Sequence, residues 1–343
     1  MKALVLKEYN LFEIADVDTP TLAADDVLVA VKACGICGSD VHGMDGSTGR
    51  RMPPIVMGHE AAGVIAEVGS AVTGWAVGDR VTFDSTIYCG ACAYCREGRV
   101  NLCDNRRVLG VSCTDYRQDG AFAEYVAIPQ HILYRLPDSV SFAQAATVEA
   151  LSIAVHAVGI TPIKLADRAV VVGAGTIGLL IAQALRASGC GMVAVVDIDS
   201  GRLDLAQRLG ATVVLDSARC DVPAQVLELT SGRGADLVFE AVGAPATVDM
   251  CLSCVRKGGN VTLVGNASPK VELALQSTVT REITLRGSCA SAGEYPACLD
   301  MIGRGVVNVD ALISAVAPLS EGAAWFDRLH SREPGLMKVI LEP

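Results

Sequence analysis

The segment that most restricts the fold is Val170-Val171-Val172-Gly173-Ala174-Gly175-Thr176-Ile177-Gly178. An apolar run ending in G-x-G-x-x-G is what a buried strand needs if it is to turn sharply into a helix. The first glycine permits the turn, the second lets backbone approach a pyrophosphate, and the third lets helix pack on strand. The surrounding rhythm agrees. Ala169–Val172, Val193–Val196, Thr212–Leu215, Leu237–Glu240 and Asn260–Val264 read as short buried strands, with helical segments such as Leu203–Leu209 and Thr247–Val255 between them. Strands alternating with helices predict a doubly wound parallel sheet of Rossmann type. Asp197 ends the second strand, where a carboxylate can accept hydrogen bonds from the adenosine ribose of NAD. Gly173, Gly175, Thr176, Ile177, Gly178, Asp197 and Arg202 therefore form the expected cofactor set, with Val242 and Val264 at later strand ends beside nicotinamide and ribose.

Upstream the rhythm differs. Lys2–Leu6, Val27–Ala33, Gly63–Val68, Arg80–Phe83 and Glu124–Ile128 are short apolar or alternating runs, most bounded by Gly, Pro or Asp, and they predict an all-β unit. A helix is expected over Ala145–Val158. After Ile283–Gly287 the alternation stops, and the tail ends in a strand-like Met337–Leu341. The expected division is 1–150 for the β unit, 151–288 for the cofactor domain, and 289–343 returning to the first. The fold class is thus α/β with an all-β part.

A chain of 343 residues with 51% apolar and 19% charged side chains suits two folded domains and excludes disorder. Its net charge of −10 argues against nucleic acid or an anionic membrane surface as partner. The run from Met1 to Glu8 is too short between charges for a signal peptide, and three glycines interrupt the longest apolar stretch, Ala169–Leu185. Thirteen cysteines then point to reduced thiols or metal ligands, and to a cytoplasmic protein.

Four of them, Cys89, Cys92, Cys95 and Cys103, follow C-x2-C-x2-C-x7-C. Short turns between thiolates aim successive sulfurs at one ion. Zinc and an iron–sulfur cluster both accept four thiolates, and the spacing does not choose between them. Either way the site is saturated, so this metal is structural. A second set is mixed: Cys37, in Cys34-Gly35-Ile36-Cys37-Gly38-Ser39-Asp40-Val41-His42, with His59 and Glu60 downstream. A thiolate, an imidazole and a carboxylate can hold zinc while leaving a position for substrate.

Gly58-His59-Glu60, Gly63, Gly69 and Val72 match G-H-E-x2-G-x5-G-x2-V, and with Cys37 and the cysteine quartet the whole chain resembles the zinc-containing medium-chain alcohol dehydrogenases. The resemblance implies a GroES-like β domain with two zincs, one structural and one catalytic, and a Rossmann domain binding NAD. It makes Cys37, His59 and Glu60 catalytic-zinc ligands, and Ser39 and His42 a proton relay. Val148-Glu149-Ala150-Leu151 with His156-Ala157 is similar to the polyol and threonine dehydrogenase branch, where the glutamate binds zinc directly or through its water. Cys34 reads as core and His156 as structural. The implied reaction is hydride transfer from a secondary alcohol of a polyol or sugar-derived substrate to NAD. A threonine 3-dehydrogenase shares much of this site. A catalytically idle dinucleotide-binding protein is the reading from outside enzymes, and the intact Cys37, His59, Glu60, Ser39 and His42 speak against it. Animal-type sorbitol dehydrogenases carry an Arg-Tyr pair soon after the glycine matching Gly287; Ser288-Cys289-Ala290-Ser291 stands here instead, which argues against sorbitol itself. Relatives pair through edge strands near the match to Ile283–Gly287, implying a homodimer or homotetramer.

Overall fold

The computed structural model describes residues 1–343, which form two compact units. The first comprises Met1–Glu149, Ala292–Gly305 and Val309–Pro343; the second comprises Ala150–Ser291 with Val306–Asn308.

In the first unit the main sheet is built from β1 (Asp26–Gly35), β2 (Glu60–Val68), β3 (Arg80–Phe83), β4 (Tyr125–Pro129) and β5 (Leu133–Arg135). Two late strands join them, β12 (Ile313–Pro318) and β13 (Lys338–Glu342). The order is β5-β3-β2-β1-β13-β12, and β4 also pairs with β1. Val29, Ile65, Phe83, Phe122 and Phe326 belong to one apolar core, and burial of such side chains is the main force closing the unit. A smaller sheet pairs Leu11–Asp16, Lys2–Glu8 and Ile55–Val56. The sequence reading contained Lys2–Leu6 but not Leu11–Asp16. No side chain of that strand is fully buried, so it lacks the apolar signal of a core strand.

The second unit holds six parallel strands: β6 (Arg168–Val172), β7 (Met192–Asp197), β8 (Val213–Asp216), β9 (Ala235–Glu240), β10 (Val255–Leu263) and β11 (Thr284–Gly287). Their order is β8-β7-β6-β9-β10-β11, with Val172 in register with both Val196 and Glu240. The chain winds outward in both directions from β6. The carboxyl end of β6 is therefore the topological switch point where such sheets bind ligands.

Two expectations need correction. The single helix over Ala145–Val158 is two, Phe142–Ala145 and Val148–Gly159. Thr147 ends the first by placing both its amide and its hydroxyl on the Gln144 carbonyl, at 3.0 and 2.6 Å. This break puts Glu149 in the first turn of the second helix. Alternation also resumes in the tail, where β12, the helix Gly322–His330 and β13 form a parallel crossover. Its strands join the first sheet, with Leu341 opposite Cys34 and Ile340 opposite Gly35. Half-exposed Ile313–Pro318 carries a weak strand signal. No helix is long and apolar enough to cross a membrane.

Candidate active site

The end of β1 and the start of β2 lie side by side, with Gly35 opposite Glu60. That register brings together three side chains that follow or open those strands. Ligand atoms of Cys37, His59 and Glu60 all lie within 4.8 Å of one another. Cys37 is the N-cap of the helix Gly38–Gly43, and its sulfur accepts the Ser39 amide at 3.5 Å and the Ser39 hydroxyl at 3.3 Å. A thiolate, an imidazole and a carboxylate fit zinc with a position left open.

His59 is buried, with Nδ1 3.4 Å from Asp40 Oδ2, so Nε2 is its nitrogen available to a metal. Burial disfavours the charged imidazole, yet Asp40 and Cys37 raise its pKa well above the usual range. Burial alone would raise the Asp40 pKa, but His59 and Arg51 hold that carboxyl well below the usual range. Glu60 is matched by Lys338 from β13: Nζ donates to Oε2 at 2.5 Å and to the Ile36 carbonyl at 3.1 Å.

Glu149 lies outside the close trio, although it is buried in the same unit. Its Oε1 accepts a hydrogen bond from Ser85 Oγ at 3.0 Å. Burial raises its pKa, opposed by His59 and Ser85 and reinforced by Glu60. His42 is exposed on the last turn of its short helix. Cys34 is core: it is buried, and burial pushes its thiol well up.

The other four cysteines also converge within 4.8 Å. Cys103 Sγ accepts the Cys89 and Asn105 amides at 3.3 and 3.4 Å. The amides of Ala91 and Cys92 draw the Cys89 thiol down to about 6, while burial and the neighbouring sulfurs push Cys95 up to about 12. Four sulfurs converging on one point are suited to one dication.

In the second unit, Gly175 caps the helix Thr176–Ala187 without a side-chain hydrogen bond, leaving its half-buried first turn, Thr176 and Ile177, for an anion. A Cβ on Gly178 would lie 1.8 Å from the Gly173 carbonyl oxygen, so only glycine permits this packing of helix on strand end. The Asp197 carboxylate accepts the amides of Ala174 at 2.6 Å, Ile198 at 2.8 Å and Asp199 at 3.0 Å, which fixes it against the glycine loop. The Arg202 guanidinium lies 3.9 Å from Asp199. Val242 is exposed and Val264 half-buried, at the ends of β9 and β10. Glu240 sets the turn that follows β9, accepting the Val242 and Gly243 amides and the Thr247 hydroxyl.

Comparison with known proteins agrees with both halves. Residues 23–138 match the alcohol dehydrogenase GroES-like domain, and 176–304 match the zinc-binding dehydrogenase domain. The chain is 33% identical to sorbitol dehydrogenase of Bacillus subtilis, covering 100% of this chain and 97% of that protein. The chain belongs to the zinc-containing medium-chain alcohol dehydrogenases, and to their polyol branch. D-arabitol-phosphate dehydrogenase of Enterococcus avium is 35% identical, with 97% and 94% covered. A zinc-binding dehydrogenase candidate from Sinorhizobium meliloti 1021, solved with NADP bound, superposes with a TM-score of 0.90 at 32% identity, covering 100% and 99%. The chain is accordingly an oxidoreductase that uses zinc and a nicotinamide dinucleotide.

Within this medium-chain dehydrogenase, sequence reading missed Asp40, Arg51, Ser85, Glu240 and Lys338. Two carried a usable signal. Lys338 is a lone charge in the apolar run Met337–Leu341, and Glu240 follows the apolar run Leu237–Phe239. A charge where burial is expected asks for a partner.

Proposed function

We propose that this dehydrogenase oxidises a secondary alcohol of a polyol or sugar-derived substrate, with NAD as hydride acceptor. The observation that carries the reading is the trio Cys37, His59 and Glu60, an open mixed-ligand set beside a separate closed four-cysteine set. A zinc held at the open set would supply the Lewis acidity that eases loss of an alcohol proton, and a bound nicotinamide would supply the hydride acceptor. Cys37, His59 and Glu60 would hold the metal, with Glu149 as a further carboxylate serving it directly or through a water. Ser39, with its hydroxyl against Cys37, and exposed His42 form the path by which the proton leaves. Relatives named for sorbitol and arabitol phosphate support a polyol-like substrate.

Asp197 supports NAD over NADP. Its carboxylate is fixed by three amides at the end of β7, where a 2′-phosphate would meet it as a like charge. The neighbour solved with NADP makes this a real choice. The test is turnover of zinc-loaded protein with NAD and NADP against polyols, polyol phosphates, aldonates and L-threonine. NAD reduction by a polyol or its phosphate is expected, with NADP poorer by roughly 10²-fold, a few kcal/mol of mismatch. Threonine as sole substrate, or equal use of NADP, would overturn the corresponding half of the reading.

The protein is further proposed to be a homo-oligomer. β11 is an edge strand of its sheet, and on the preceding helix Leu275–Thr280 both Leu275 and Val279 are about two-thirds exposed, at 64% and 65%. Unpaired edges with apolar neighbours invite pairing. Sedimentation should show a dimer or tetramer; a sole 35.6 kDa species contradicts it. No disulfide joins any of the thirteen cysteines, which fits a reducing cytoplasm.

A further inference from the structure

Arg51 is a buried guanidinium that the sequence did not single out, and it touches both flanks of the proposed metal set. Its backbone is pinned: the Met52 amide donates to the Ser112 carbonyl, the Ser112 amide to the Arg50 carbonyl, and the Ser112 hydroxyl to the Met52 carbonyl. Its side chain needs a gap to pass inward, and Gly43 supplies one, since a Cβ there would lie 2.6 Å from Arg51 Cγ. The guanidinium then grips one oxygen of Asp40 twice, Nε at 3.2 Å and Nη2 at 2.9 Å from Oδ1. A third donor, Nη1, is tied to the Arg50 carbonyl at 3.0 Å. Both ionic side chains are nearly sealed from solvent, at 4% and 0% exposure.

That grip has a geometric consequence on each flank. With Oδ1 held by two donors, the Asp40 carboxylate cannot turn, and Oδ2 is the oxygen left facing His59 Nδ1. Fixing Nδ1 fixes the plane of the ring and so the direction of Nε2. On the other flank Arg51 Nη2 lies 3.5 Å from Ser39 Oγ. A guanidinium only donates, so the serine oxygen accepts there, and its own proton is directed to Cys37 Sγ.

We propose that Arg51 is a positioning residue for the metal, orienting His59 through Asp40 and the Ser39 hydroxyl at Cys37 with one rigid fork. This rests on the reading of Cys37, His59 and Glu60 as the open metal site. Lysine would restore the charge but not the planar fork.

The test uses the full chain loaded with zinc or cobalt, as wild type, Arg51→Met and Arg51→Lys. Zinc release to a chromophoric chelator is followed in time, and the visible spectrum of the cobalt form reports ligand geometry. Loss of an outer partner of a metal ligand typically weakens metal binding by about 10–100-fold. Arg51→Met should release the open-site metal faster by about that factor and shift the cobalt bands. Arg51→Lys should fall between it and wild type, and release from the four-cysteine site should not change. If Arg51→Met does not fold, faster release from Arg51→Lys supports the proposal. Wild-type rates and spectra in every variant that folds overturn it. Absence of a releasable open-site metal in wild type overturns instead the ligand assignment beneath it.

Discussion

Among single residues, the buried charges near the metal set were the least legible. Cys37, His59, Glu60 and the cysteine quartet announce themselves by short spacings and by matching a known pattern. The partners that hold them do not, because Glu60 and Lys338 lie 278 positions apart and only the sheet brings them together. Their exposures, 1% and 3%, make the pair sensitive to losing either member. Burial lowers the Lys338 pKa, but Glu60 and Cys37 outweigh it and raise it, so the lysine stays charged. Removing one partner of a buried pair typically costs about 3–5 kcal/mol, because the other charge is left without compensation. Lys338→Met should therefore lower the unfolding midpoint markedly, and the double variant with Glu60→Gln should recover part of the loss. Calorimetry on wild type and the two variants checks this. A Lys338→Met midpoint equal to wild type would show that the pair carries no such weight.

For whole elements, the parallel sheet was readable because its strands are buried on both faces and so appear as unbroken apolar runs. Ala169–Val172 and Leu237–Glu240 fall inside β6 and β9. What failed were elements whose signal is local chemistry, such as the helix break at Thr147, or whose faces stay wet, such as Leu11–Asp16. Asp236 shows how the sheet is tied at its amino end. Its carboxylate accepts the Arg168 amide of β6 at 3.0 Å and Arg256 Nε of β10 at 2.6 Å. Burial would raise its pKa, but the Arg168 amide and Arg256 lower it below the usual 3.8. A depressed carboxyl stabilises the fold fully above its unfolded pKa, and that contribution is lost as pH falls through the native value. Asp236→Asn should cost about 1.5–3 kcal/mol at pH 7, the range for hydrogen bonds to charged groups. The gap should close as pH falls below the ordinary carboxylate range. Melting curves of both proteins across that range decide it, and a gap as wide in strong acid as at neutrality would refute the tie.

At the scale of the whole molecule, the chain carries two metal sets of different character and one dinucleotide loop. The tail completes the first sheet through β12 and β13, so residues at opposite ends of the sequence share one catalytic unit. The sequence reading expected the tail to return to the first unit, but spacing along the chain sees only neighbours and did not give the pairing of Leu341 with Cys34. The central claim is that Cys37 with His59 and Glu60 holds the catalytic zinc, apart from the closed four-cysteine site. The direct measurement is zinc content per chain, beside NADH binding by fluorescence, for wild type and Cys37→Ala. The account predicts two zincs in wild type, one for each set, and one in Cys37→Ala, with turnover abolished and NADH binding unchanged. Two zincs and near-normal turnover in Cys37→Ala would contradict it.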